Sequence, residues 1–230
     1  MAIFTPGPVV GQISGRIGGS VYSRNRGGPY IRNGAIPTLS SSIYAENAKQ
    51  RLAIYSALWA SLTSAQQLAW TNWAKQNPVT NRLGHKITLS GHMALVQLNV
   101  NIDNAGGTPI LVPPVVAPPD GLLTLSASYD IGAGDFNISY TTTPLGASEV
   151  LFIWAAVVDN PGVSFVNNLY KLIQVTAAAA ASPQVTEVNM ALRFGTLIVG
   201  QRVFYRVQTV DQDTGLVSQP ISSDGTIITT

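Results

Sequence analysis

Cysteine is absent from this 230-residue chain, which excludes both a disulfide framework and a thiolate metal site. Charge is scarce: Asp, Glu, Lys and Arg together make 10% of the residues, where ordinary soluble domains carry about a quarter. With hydrophobic residues at 46%, much neutral surface is expected, as on subunits of large assemblies. No run of about 18 apolar residues occurs, so neither a membrane-spanning helix nor a membrane partner is expected. The first residues lack the basic start and continuous apolar stretch of a secretory signal. Synthesis in a cytoplasm, without export by that route, is the expectation.

Histidine is nearly missing too. His85 and His92 have no acid beside them in sequence, and a metal site would want a third ligand at defined geometry. No serine stands in a nucleophile-elbow setting, and the glycines at 15, 18 and 19 neither follow a strand nor open a helix. Most aspartates fall at turn signals, where the carboxylate caps backbone amides. Asp211 and Asp213 have the spacing to hold calcium at a loop tip, although a plain turn accounts for them more simply. No enzymatic activity, metal or cofactor is expected.

What is present begins with the first 37 residues. They are rich in glycine and proline, carry Arg16, Arg24, Arg26 and Arg32, and hold no acid. No window keeps a helical period, and glycine and proline interrupt every candidate strand before it could bury a face. Yet Ile3, Val10, Ile13, Ile17, Val21, Tyr22, Tyr30 and Ile31 are too much apolar content for a solvated tail. The segment therefore reads as an extended assembly arm, residues 1–39, that orders on another surface. Arg16, Tyr22, Arg24, Arg26, Tyr30 and Arg32 are its candidate interface residues. Basic aromatic segments can follow a phosphate backbone, but four cations in 17 residues are sparse for that. Guanidinium groups equally pair with carboxylates at interfaces, so protein is the favoured partner over nucleic acid.

Charge is split along the chain. Residues 1–86 hold nine Lys or Arg against the single acid Glu46, a net of +8, whereas residues 87–230 hold four against ten acids, a net of −6. Opposite patches favour head-to-tail association of copies, so a homo-oligomer is expected.

After the arm, residues 40–107 read as a small helical domain. Ile43, Ala48, Leu52, Tyr55, Trp59 and Leu62 recur at spacings near three and four, one stripe of an amphipathic helix. Thr63 and Gln66 have capping-box spacing, opening a second helix that runs to Gln76 and stops at Asn77-Pro78. A third helix is expected from Ser90 to Asn104, ending before Gly106-Gly107, with either Met93, Val96 and Val100 or Leu95, Leu98 and Ile102 inside. Trp59, Trp70 and Trp73 form the candidate docking core, small enough to be complete only when neighbours pack on it. Residues 108–121 hold five prolines in 14 residues and read as a stiff spacer, with the linker placed at 108–120.

From Leu122 the pattern changes to period two. Strands are expected near Leu122–Tyr129, Phe136–Thr142, Val150–Val158, Leu169–Thr176, Gln184–Met190, Arg202–Asp211 and Gly215–Ile228, with Ala177–Ala181 as a link between two of them. Such spacing predicts an antiparallel β-sandwich over 121–230.

Two resemblances follow. The stretch GQRVFYRVQTVDQDTGLVSQP, a Tyr-x-Val strand running into Thr-Gly and then Ser-x-Pro, resembles the penultimate strand of fibronectin type III and related immunoglobulin-like modules; it implies Trp154 as the core tryptophan. Over Gly11–Leu111, Gly15-Arg-Ile-Gly-Gly, Tyr22-Ser-Arg-Asn-Arg-Gly-Gly, Ile31-Arg-Asn, Trp59-Ala-Ser-Leu-Thr and Gln66 to Trp70 are similar to an uncharacterised family of tailed-bacteriophage and prophage proteins. That likeness implies a non-enzymatic virion component: a capsid decoration or head fibre first, a neck or tail protein or a host-surface glycan- or receptor-binding module as alternatives. Its partners would be other virion proteins, major capsid or neck and tail subunits. The fold class expected is thus α+β in several parts: extended arm, small helical domain, and an Ig-like antiparallel β-sandwich that projects outward.

Overall fold

The computed structural model describes residues 2–3, 7–8, 10–25, 28–36, 42–80, 86–130, 135–160 and 162–228. It is mixed α+β and divides into two units, Met1–Asn47 and Ala48–Thr230.

In the first unit the segment expected as an extended arm forms strands that pair with one another. Strands β1 (Ala2–Ile3), β2 (Gly15–Ile17), β3 (Ser20–Asn25) and β4 (Gly28–Asn33) form one antiparallel sheet in the order β1-β4-β3-β2. Glycine punctuates these strands instead of breaking them. Ile17 pairs with Ser20, leaving Gly18-Gly19 as a two-residue hairpin loop, and Gly18 takes the positive φ of 57° that such a turn needs at its first position. Pro29 lies outside the β1 pairing, which runs through Tyr30 and Ile31, so its missing N–H removes no bond on that side.

Helices α1 (Ile43–Ser61, of which residues 48–61 belong to the second unit), α2 (Ser64–Gln76) and α3 (Gly91–Ala105) stand where the periodicity puts them, but of the stripe expected along the first helix only Tyr55, Trp59 and Leu62 turn inward, while Ile43, Ala48 and Leu52 are exposed. The capping box is present: Gln66 N donates to Thr63 Oγ1 at 3.3 Å and Thr63 N donates to Gln66 Oε1 at 2.9 Å. Ser90 accepts from Met93 N to start α3, and Gly106, in the left-handed region, ends it. The inner face of α3 draws on both expected sets: Leu95, Leu98, Ile102 and Val96 are buried and Val100 packs against them, while Met93 is exposed. A short ribbon of β5 (Val79–Thr80) and β6 (Lys86–Ile87) lies between α2 and α3.

The remaining residues build two antiparallel sheets. One holds β7 (Thr124–Asp130), β8 (Asp135–Thr141) and β11 (Gln184–Val185) in the order β11-β8-β7. The other holds β9 (Glu149–Val158), β10 (Lys171–Val175), β12 (Arg202–Asp211) and β13 (Ile221–Ser222) in the order β10-β9-β12-β13, with β14 (Thr226–Ile227) also on β12. Phe136, Ile138 and Tyr140 of β8 meet Leu151, Ile153 and Ala155 of β9 and Val203, Tyr205 and Val207 of β12 in one buried cluster. Each such large side chain contributes about 1.5–3 kcal/mol by leaving water. Ala177–Ala181 is the link expected between β10 and β11.

Three further expectations give way. The strand read at Gln184–Met190 stops at Val185 and becomes helix α4 (Glu187–Phe194), because Met190 and Phe194, four apart, both turn onto the core. Trp154 is not between the sheets: inward positions on β9 are Leu151, Ile153 and Ala155, so Trp154 shares the outer face with Phe152, ring centroids 5.7 Å apart. Finally, residues 108–120 are no spacer that holds the β part away from the helices. Asn99, fully buried, donates from Nδ2 to the carbonyls of Leu95 and Ile110 and accepts from Ile110 N at 2.7 Å. Trp70 Nε1 donates to Leu111 O at 3.0 Å. The Pro-rich segment is thereby tied along the helices, and Leu216 of the β part enters the core of Tyr55, Trp70, Leu95 and Leu98. This chain's own β part thus contributes a side chain to the small helical core.

Two outcomes are expected. Asn99→Ala strips the partners from the Ile110 amide and carbonyl and should lower unfolding free energy by about 1–3 kcal/mol in urea titrations. Burial pushes the Tyr205 phenol far above its ordinary 10.0, partly offset by its hydrogen bond with Thr186. The fold accepts the neutral phenol, so the associated stability is complete below pH 10 and falls as pH rises beyond it, because the unfolded chain ionises first. Tyr205→Phe should lose about 1 kcal/mol at neutral pH yet show a shallower alkaline decline, read by urea denaturation on either side of pH 10.

Candidate functional site

The N-terminal sheet carries five of the six arm residues; Arg26 lies outside the described residues. Register sorts them onto two faces, since directly opposed residues point the same way. Arg16 opposes Val21, and Val21 opposes Arg32, while Tyr30 lies two residues before Arg32 on β4. One face therefore shows Arg16, Val21, Tyr30 and Arg32. The other shows Ile17, Tyr22, Arg24 and Ile31, through the pairs Tyr22–Ile31 and Arg24–Pro29. Adjacent strands are about 4.8 Å apart, so Arg16 and Arg32 stand about 10 Å from each other across Val21.

Neither face has an interior. No side chain among the described residues 10–24 and 29–36 is buried, and Ile17 is 68% exposed. Arg16 is held in place: its Nε donates to Gly18 O at 2.9 Å, and its guanidinium lies over Gly34, where an added Cβ would sit 3.3 Å from Cζ. That carbonyl is neutral, so the charge remains. Among the described residues, none of Arg16, Arg24 and Arg32 is in an ion pair. The outer edge of β2 is also unpaired within the sheet. The surface thus offers cations, small apolar side chains and an open strand edge, the three features that strand addition by a partner uses.

The tryptophans take a different part. Trp70 is fully buried and meets Trp73 edge-on at 6.0 Å, while Trp59 and Trp73 are half-buried. Trp73, Leu98, Leu216 and Pro118 line a cleft of about 850 Å³ together with Lys86 and Gln208. Trp70 is core, and Trp73 is both core and cleft wall.

The other candidates resolve into local roles. His85 is outside the described residues. His92 lies tilted by 49° against Trp59 with centroids 5.7 Å apart, and its Nε2 lies 3.2 Å from Ser56 Oγ, a pairing across 36 positions that no sequence spacing announces. Among the described residues no carboxylate bonds to that imidazole, so the pair lacks the orienting group of a nucleophilic dyad. Asp211 Oδ1 accepts from Asp213 N at 2.8 Å, the turn role aspartate fills by itself. Among the described residues no three His, Cys, Asp or Glu gather where a metal ion could be held. Arg51 pairs with Asp103 at 2.5 Å and bonds Asn104, binding α1 to the end of α3.

No protein-family model matches the chain, and no curated protein is significantly similar to it.

Gly18→Val would force a β-branched residue into the left-handed region, at about 1–2 kcal/mol. With no core to absorb that strain, hydrogen exchange should report lost protection over residues 15–33, while the amides of β9 and β12 stay protected.

Proposed function

We propose that this chain is a non-enzymatic structural component of a tailed-phage virion, a capsid decoration or head-fibre protein in first place and a neck or tail protein in second. The observation that carries the reading is the N-terminal sheet, in which, among the described residues, no side chain is buried, Arg16, Arg24 and Arg32 are in no ion pair, and the outer edge of β2 has no partner strand. A four-stranded sheet gains independent stability from a buried apolar face or a helix packed on it, and no described side chain of this one is buried. Neighbouring virion subunits, or further copies of this chain, would supply the missing side.

A three-stranded sheet in the order β11-β8-β7 opposite a sheet in the order β10-β9-β12-β13 supports an immunoglobulin-like, fibronectin type III-like sandwich. Its fold is uninformative about chemistry, so the assignment rests on the sheet at the other end of the chain.

Deletion of residues 1–37 tests the proposal. The remainder should stay soluble and unfold cooperatively, yet fail to enter particles when supplied in place of the full chain during infection. Incorporation at the normal level would overturn it.

A further inference from the structure

Residues 162–170, between β9 and β10, fold back over the outer face of the larger sheet. Val166 anchors it there, buried with Ala156, Val158 and Phe204. Anchoring that residue leaves its neighbour Phe165 72% exposed. Between this loop and residues 222–224 lies a cleft of about 280 Å³, whose lining includes Phe165, Asn167, Tyr170, Arg202, Ser222 and Asp224.

The walls are braced from behind. Arg206 stacks over the Tyr170 ring at 4.4 Å, donates from Nη2 to Asn167 Oδ1 at 2.9 Å, and brings Nε to 3.5 Å from Ser222 Oγ. One guanidinium thus links the loop to the opposite wall. Arg202 lies over Phe204 at 4.8 Å and donates to Gly225 O at 3.2 Å. Side chains fixed in this way lose little entropy when a ligand arrives.

We propose that this cleft binds a neutral saccharide. A pyranose ring presents a patch of C–H groups on one face and hydroxyls around its rim. The exposed Phe165 ring offers a flat apolar surface for the first. The Asn167 amide, the Ser222 hydroxyl, the Asp224 carboxylate and the Arg202 guanidinium offer both donors and acceptors for the second. Arg202 and Asp224 cancel in charge, so the lining has no net pull on an anion. The volume, about 280 Å³, falls just short of the roughly 300–1,000 Å³ of small-molecule sites, which suits a single sugar unit with a second one extending into solvent.

This inference does not rest on the role of the N-terminal sheet. Sugar binding and particle entry are measured separately, and either can fail alone. The test is saturation-transfer NMR on the full chain with maltose, lactose and N,N′-diacetylchitobiose. At least one should show transfer to its ring protons, with a dissociation constant of about 1 mM. Phe165→Ala and Asp224→Asn should each weaken it about tenfold. Arg206→Lys, which keeps the charge but loses the fork, should weaken it while leaving the thermal midpoint close to that of the parent. Leu192→Ser, at an exposed position on α4, should bind like the parent. No transfer to any of the three sugars, undiminished binding by Phe165→Ala, or preference for a uronate disaccharide over all three would overturn the proposal.

Discussion

The second unit depends on how closely α3 approaches the loop after β12. Gly215, with φ of 71°, lies so near α3 that a Cβ there would sit 2.3 Å from the Leu98 carbonyl oxygen. A Cβ on Gly107 would come within 2.1 Å of Gln212 O. Two glycines therefore permit a backbone-to-backbone seam that no other residue allows. Asn101 Nδ2 then donates to Gly215 O at 2.9 Å, and Leu216, one residue on, reaches the tryptophan cluster. Widening the seam by the width of a methyl group would withdraw Leu216 and uncover Trp70, so the helical core and the β part stand or fall together.

The same seam explains where the low charge content is used. Strand β9 is buried on both faces: Leu151 and Ile153 toward the small sheet, Val150 and Phe152 toward the outside. Ala105 of α3 and Val217 cover the outer side at one end, and the 162–170 loop covers it at the other. Past Glu149 at its half-buried first position, a strand so enclosed leaves no room for a charge, which accounts for the run VLFIWAAVV. Scarce charge therefore reflects interior that the chain makes for itself as well as neutral surface.

The helices were legible because local chemistry decides them. The Thr63–Gln66 box, the Ser90 cap and Gly106 are statements about neighbouring residues, and each is where the pattern puts it. Strands β8, β9 and β12 were legible because apolar side chains recur along them. The misses share another cause: they were settled by residues far away in sequence. Trp154 faces outward because the register of β9 on β12 sets Ala155 opposite Tyr205, and no alternation within VLFIWAAVV distinguishes the two faces. Glu187–Phe194 becomes helical because the pocket that takes Met190 and Phe194 favours a four-residue spacing. The seam joins positions 114 apart through a side chain, Asn101, that resembles any other polar residue on a helix. In the candidate site, residue types were legible and their sorting onto two faces was not, since sorting requires the register. The error over Gly18 has a simpler origin: glycine that ends a strand and glycine that turns a hairpin look alike until the pairing is known.

A preformed sheet also changes the physics of docking. Ordering a disordered segment on a partner costs about 1–2 kcal/mol for each residue whose backbone is fixed. Residues 15–17, 20–25 and 28–33 already hold strand conformation in register, so much of that entropy is lost before any partner arrives. Yet a sheet with no buried side chain among its described residues opens at small free energy, at the low end of the range found within one protein. The two facts together describe a hairpin-based surface that is shaped in advance but easily remodelled. Such a surface can bind through few contacts, because little of the contact energy is spent on ordering, and can still adjust its edge to the strand it meets. A tightly packed sheet of the same sequence length could do the first and not the second.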